Sequence, residues 1–348
     1  MADISIRVEG KAGRITLKRP QALNALTYQM CLDIEVAIDA WRDDEAVALV
    51  IIDADGDKAF CAGGDIQEMY DTGITGNFTY GQKFWADEYR LNAKIAEYPK
   101  PYIALMQGFT MGGGVGVSCH GSHRIVGDSS QIAMPECGIG LVPDVGGSLI
   151  LAQAPGHLGE YFGTTAARMG PADAIYVGFA DTYVPEDKWP DMIAALETSG
   201  DVTEIERFSA TPPAGNLSAS QPEIDACFAG VNLAAIEADL TTSGSEFALK
   251  TLKALRRNSP LSTAVTIEMV RRLREGAGIR DALGMEYRYT YRSMEHGDFL
   301  EGIRAAIIDK DRNPNWKHAS IHDVPDADVA RMLAPLGDNS LNLKEQLT

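Results

Sequence analysis

The amino-acid sequence predicts an α/β fold, a core of short strands alternating with helices and followed by a helical C-terminal region. Three features predict it. Continuous apolar runs such as Val47-Ala-Leu-Val-Ile-Ile and Tyr102-Ile-Ala-Leu-Met are short and bounded by turn residues, as in strands covered on both faces. Between them, Leu26, Met30, Ile34, Ile38 and Trp41 recur at helical spacing. After about residue 240, three candidate helices follow one another at 245–257, 261–275 and 279–296. Short buried strands interrupted by helices and glycine-rich turns belong to α/β architecture rather than to a helical bundle.

In order along the chain, Ile4-Ser-Ile-Arg-Val and Gly13-Arg-Ile-Thr-Leu read as strand, turn, strand, ending at Arg19-Pro20. The apolar stripe predicts a helix from about Thr27 to Trp41, and the run from Val47 predicts a strand. A helix over 79–98 leads to a second ββα-like passage. It runs from the strand at Tyr102 through the glycine cluster at 112–116 to Arg124-Ile-Val and Gln131-Ile-Ala-Met, with no exact repeat. Thr211-Pro-Pro-Ala-Gly-Asn-Leu-Ser-Ala-Ser-Gln-Pro222 is rich in breakers and reads as a joint. The expected organisation is a core over 1–185, a connecting segment of open structure over 186–240, and a helical region over 241–348.

A chain of 348 residues and 37.5 kDa can bury the core of one large α/β domain with a smaller addition. A net charge of −18 repels polyanions and excludes a general nucleic-acid-binding role. Anionic ligands need local cations, for which Arg14, Lys18, Arg19 and Lys58, or Lys250, Lys253, Arg256 and Arg257, are candidates alongside the ordinary reading of solvated faces. Five scattered cysteines with no CxxC pair argue against disulfides and against zinc, and Cys119 with His120 and His123 reads as core packing. No apolar run has the length of a membrane span, and the first residues carry no legible signal or transit pattern, so the expectation is a cytoplasmic protein away from membranes.

Three stretches carry chemistry. Ala59-Phe-Cys-Ala-Gly-Gly-Asp-Ile66 follows a strand and opens a helix, where backbone N–H groups point outward without partners. Met111-Gly-Gly-Gly-Val-Gly-Val117 does the same. Two converging N–H donors suit a thioester oxygen that becomes negative; glycine clusters equally serve close packing. Neither run is GxGxxG or GxxxxGK[ST], so nucleotide-phosphate motifs are absent. The third stretch, Met134-Pro-Glu-Cys-Gly-Ile-Gly-Leu-Val-Pro-Asp-Val-Gly-Gly147, is apolar except for Glu136 and Asp144. Desolvated carboxyls titrate nearer neutrality, where proton transfer needs them. Asp144 could instead cap a helix beginning near Val145, and Glu136 could make a structural hydrogen bond.

Together these stretches resemble the crotonase, or enoyl-CoA hydratase/isomerase, superfamily, whose members bind acyl-CoA thioesters with an oxyanion hole of two backbone N–H groups. The resemblance implies a crotonase-like ββα superhelix core and assigns the hole to Gly64 and Gly113. Hydratases of the family carry a first catalytic glutamate after the glycine triplet, and that position is Gly116 here; the second is Glu136. Asp144 stands where hydratases read Pro-Gly-Ala-Gly-Gly. This combination, with Met285-Glu-Tyr-Arg, Asp298-Phe-Leu-Glu-Gly-Ile-Arg-Ala and Ile308-Asp-Lys-Asp-Arg-Asn-Pro-Asn-Trp316, is similar to the 3-hydroxyisobutyryl-CoA hydrolase branch. Glu88 aligns with a glutamate that contacts the acyl group there; its other reading is a helix-surface carboxylate.

The resemblance therefore implies an enzyme that hydrolyses a short 3-hydroxyacyl-CoA, 3-hydroxyisobutyryl-CoA first among them, in valine catabolism. Glu136 would be base or nucleophile, and Asp144 would orient the 3-hydroxyl or the water. No metal and no separate cofactor are expected, since coenzyme A arrives as part of the substrate. Relatives often form trimers, so a homo-oligomer stays open. The alternatives are enoyl-CoA hydration or isomerisation on the same scaffold, and a non-catalytic acyl-CoA-binding protein, which would need neither acid.

Overall fold

A computed structural model of the protein describes residues 3–343. By their internal contacts these form two compact units that alternate along the chain. One takes the chain up to Asp65, then Arg90–Ala133 and Arg168–Asn216; the other takes Ile66–Tyr89, Met134–Ala167 and the chain from Leu217 on. The expected segments 1–185, 186–240 and 241–348 were drawn as consecutive blocks, and residues 344–348 of the last lie outside the described residues.

The first unit carries the strands. β1 (Ile4–Glu9), β2 (Ala12–Leu17), β3 (Leu49–Ala54), β5 (Tyr102–Met106), β7 (His123–Val126) and β9 (Thr182–Tyr183) form a sheet in the order β1-β2-β3-β5-β7-β9. Only the β1–β2 pair is antiparallel. β4 (Ala59–Cys61), β6 (Phe109–Met111) and β8 (Gln131–Ala133) form a second, parallel sheet. Three times, then, a strand of the larger sheet is followed by a three-residue strand of the smaller one and next by a helical segment: Gln67–Gly73, Gly113–Ser118, or Glu136–Ile139. This is the ββα repeat that the sequence shows only as a loose passage.

The apolar runs form the strands because both their faces are covered. All residues of β2 and β5 are buried, and Leu49, Ile51, Ile103, Leu105 and Ile125 join Trp189, Met192 and Leu196 of the Trp189–Ser199 helix in one cluster. Each such side chain contributes about 1.5–3 kcal/mol on burial. Arg14 lies in the middle of β2, so its charge must be matched inside: it pairs with Asp53 and Glu197 and is a structural ion pair rather than a ligand cation. The helix expected at Thr27–Trp41 is Tyr28–Arg42, with the Thr27 hydroxyl accepting the Met30 N–H at 3.2 Å. All five cysteines are buried and none is in a disulfide, and Cys119 lies 3.7 Å from the Met106 sulfur.

Among the described residues, the second unit is helical. The Pro260–Leu273 helix is its centre, burying Leu261, Val265, Ile267, Met269, Val270 and Leu273. It packs against helices Gly147–Gln153, Leu158–Thr165 and Ile279–His296. The expected tail helices stand at Glu246–Arg257, Pro260–Leu273 and Ile279–His296. One expectation fails: the breaker-rich joint does not extend to Pro222, because a helix begins at Leu217 and runs to Phe228 with Pro222 inside it. Proline at the sixth position removes a bond only to the first-turn carbonyl of Ser218, and burial of Leu217, Ile224, Cys227 and Phe228 outweighs that loss. No described helix is long and apolar enough to cross a membrane.

Candidate active site

In the first unit, the two glycine turns leave one edge of the small sheet together. β4 and β6 are parallel neighbours, with Cys61 opposite Thr110, so Gly64 and Gly113 each lie three residues beyond paired positions. Gly112 makes the second turn with φ 49° and ψ −121°, a conformation open to glycine, and the helix starts at Gly113. A Cβ on Gly114 would collide with the carbonyl of Cys61, so the helix start packs directly on the end of β4. Around Gly64, the Leu26 N–H reaches the Gly63 carbonyl at 2.9 Å and the Asp65 N–H reaches the Leu26 carbonyl at 2.7 Å. The N–H groups of Gly64 and Gly113 themselves have no acceptor among the described residues. Unsatisfied donors at adjacent strand ends are what binding an oxyanion requires.

In the second unit, acids collect without a cation. Glu88, Glu136 and Asp144 are each 4% exposed and Glu286 is fully buried. Glu136 opens the one-turn helix Glu136–Ile139 after Pro135, and among the described residues neither its Oε2 nor Oε1 of Glu88 has a hydrogen-bond partner. Burial pushes the Glu136 carboxyl well above the usual carboxylate range, and the charges of Asp144 and Glu286 push it further. Burial likewise lifts Glu88 to about 8, aided by Asp144. Asp144 is raised to about 7 by burial, against the pull of the Tyr89 hydroxyl, which donates to its Oδ2 at 2.7 Å. Glu286 stands at about 8, raised by burial and Asp144 and pulled back by donors from Ser148 and Gly146. No positive charge is among the causes of any of these shifts. Carboxyls poised near neutrality in a buried cluster suit proton transfer or nucleophilic attack.

Two alternatives from the sequence are corrected. Asp144 does not cap a helix: the next one starts at Gly147, its N-cap is Gly146, and no side chain caps it from that position. Glu88 is not a surface carboxylate, since it is buried on the inner face of helix Thr79–Ala96. Sequence reasoning misses Tyr89 and Glu286. Glu286 sits on the buried face of its helix with Leu283 and Thr290, so an acid on an apolar stripe was the available signal. Of the candidate cations, Arg19 pairs with Asp65 at 2.9 Å and Arg256 with Glu237 at 2.7 Å. Among the described residues, no group of three or more His, Cys, Asp or Glu could hold a metal ion.

The sequence model of the enoyl-CoA hydratase/isomerase family matches residues 12–333. Among curated proteins, the chain is 39% identical to the mitochondrial 3-hydroxyisobutyryl-CoA hydrolase of Gallus gallus, over 98% of this chain and 91% of that one. Among solved structures, an enoyl-CoA hydratase from Rhodobacter sphaeroides 2.4.1 superposes with a TM-score of 0.93 at 56% identity, over 98% of this chain and 100% of that one. A carnitinyl-CoA dehydratase from Mycobacterium thermoresistibile gives 0.95 at 39% identity, over 99% and 100%. These matches span both units and the fold that the glycine turns and the ββα repeat imply, and the chain belongs to the enoyl-CoA hydratase/isomerase family.

Proposed function

We propose that this enzyme hydrolyses short 3-hydroxyacyl-CoA thioesters, with 3-hydroxyisobutyryl-CoA as its substrate in valine catabolism. The observation that carries the reading is Glu136, a buried carboxyl with a free oxygen beside Asp144, combined with a glycine at position 116, where the family's hydratases hold their first glutamate. The curated relative is by name a hydrolase of that thioester.

In the proposed course, the Gly64 and Gly113 N–H groups donate to the thioester oxygen as negative charge grows on it, a contribution of about 3–4 kcal/mol per donor. Glu136 either takes a proton from the attacking water or adds its own oxygen to the carbonyl carbon, giving an anhydride that water then opens. In both routes the carbon–sulfur bond breaks, the CoA thiolate leaves and takes up a proton, and the acid is released. Asp144 and Glu88 hold the 3-hydroxyl or the water.

The second reading is hydration of an enoyl-CoA, favoured by the names of the two solved structures. It lacks a second acid at position 116. A homo-oligomer and a cytoplasmic location are separate proposals; the curated relative is by name mitochondrial. The substrate proposal is tested by following free thiol from 3-hydroxyisobutyryl-CoA beside isobutyryl-CoA. Preference for the hydroxylated thioester supports it, and equal or slower release from it removes the assigned role of the 3-hydroxyl.

A further inference from the structure

We propose that Glu286 is the positioning residue for Asp144: from the Ile279–His296 helix its buried carboxyl fastens the turn that carries Asp144 into the Gly147–Gln153 helix. The inference rests on the hydrolase reading for its consequence and on two independent features of the turn for its geometry.

The first is the set of donors. Glu286 Oε2 accepts the Gly146 N–H at 2.9 Å, and Oε1 accepts both the Ser148 N–H at 3.2 Å and the Ser148 hydroxyl. The Gly146 and Ser148 N–H groups lie at a helix start, where no intrahelical acceptor exists, and Gly146 has no side chain to serve as a cap. An acid 140 residues further along the chain takes that place. The second feature is strain. Val145, directly after Asp144, has φ 52°, in the left-handed region that β-branched residues avoid. Such a conformation persists only where the surroundings over-determine it. The Gly147 N–H closes the turn on the Asp144 carbonyl at 2.7 Å, and Glu286 grips it from the other side.

A cap alone needs no charge. Glu286 stands in a group whose other members are acids or a phenol: Asp144 acts on it, and it acts in turn on Glu136 and Tyr89. Its carboxyl therefore sets both where Asp144 points and the field in which Glu136 ionises.

Glu286→Gln keeps the size and one acceptor oxygen but removes the charge and the second acceptor. The expected result is a fall in kcat for CoA release of about 10- to 100-fold, the scale of a small misplacement, with KM within about threefold. Carbon-13 NMR of the Glu136 carboxyl in ligand-free protein should show its titration moved to lower pH, because the Glu286 charge that raises it is gone, a change that a purely structural anchor would not cause. Ser148→Ala should give a smaller loss, and the double variant should be no worse than Glu286→Gln alone. Wild-type kcat with an unmoved Glu136 titration in Glu286→Gln overturns the proposal. If that variant does not fold, wild-type kcat in Ser148→Ala overturns it instead. Should the wild-type protein release no CoA from any thioester, the hydrolase reading fails, while the Glu136 titration still decides the role of Glu286.

Discussion

A carboxyl that has lost water and gained like-charged neighbours stays neutral until the pH rises, and this is the condition of Glu136. Only its ionised form can take a proton or attack a carbonyl, so CoA release should climb with pH well above the usual carboxylate range rather than level off at acidic pH. Glu136→Gln preserves shape and removes that form; turnover should drop at least about 100-fold, with the melting temperature kept or raised, since a buried acid without a cation no longer has to ionise. Near-normal turnover would remove Glu136 from the chemistry. The sequence exposed Glu136 and Asp144 because each is a lone charge in an apolar, glycine-rich stretch. It concealed Glu286 and Tyr89, which stand in helices where acids and tyrosines recur at every turn and whose meaning depends on which face is buried.

Among elements, the turn bearing Glu136 is held from the C-terminal region. The Ser259 N–H donates to the Cys137 carbonyl at 2.9 Å, and the Tyr289 hydroxyl donates to the Gly140 carbonyl at 3.2 Å. The Phe299–Ile303 helix packs so closely that a Cβ on Gly302 would collide with the Ile139 carbonyl. Gly302→Ala should therefore cost about 1–3 kcal/mol in urea unfolding and slow CoA release by displacing Glu136; unchanged stability and rate would show that this contact supports nothing. Long helices were legible because their periodicity is sustained, as from Leu26 to Trp41, and the structure adds side-chain caps at Thr27 and Ser259. Of the short strands, β8 was legible at Gln131-Ile-Ala-Met, but β4 and β6 were not, since three residues beside a glycine turn carry no alternation to read. The Leu217 helix was hidden by Pro222, whose effect on the chain depends on how near the helix start it falls.

For the whole molecule, a linear reading divides the chain into blocks, whereas contacts gather three separated stretches into each unit. That arrangement follows from pairings such as β7 with β9, 57 residues apart at Arg124 and Asp181, which no local pattern encodes. Part of the chemistry survives this because it comes in compact motifs, two glycine turns in one unit and the Glu136–Asp144 stretch in the other, whereas Glu88 and Glu286 join the acids only through the fold. The central claim is that the family scaffold here serves hydrolysis, with Glu136 retained and position 116 emptied of a side chain. Its most direct measurement is one enzyme sample assayed in parallel for free thiol from 3-hydroxyisobutyryl-CoA and for water addition to crotonyl-CoA. The account predicts rapid thiol release with hydration slow or absent; robust hydration of crotonyl-CoA without thiol release would contradict it.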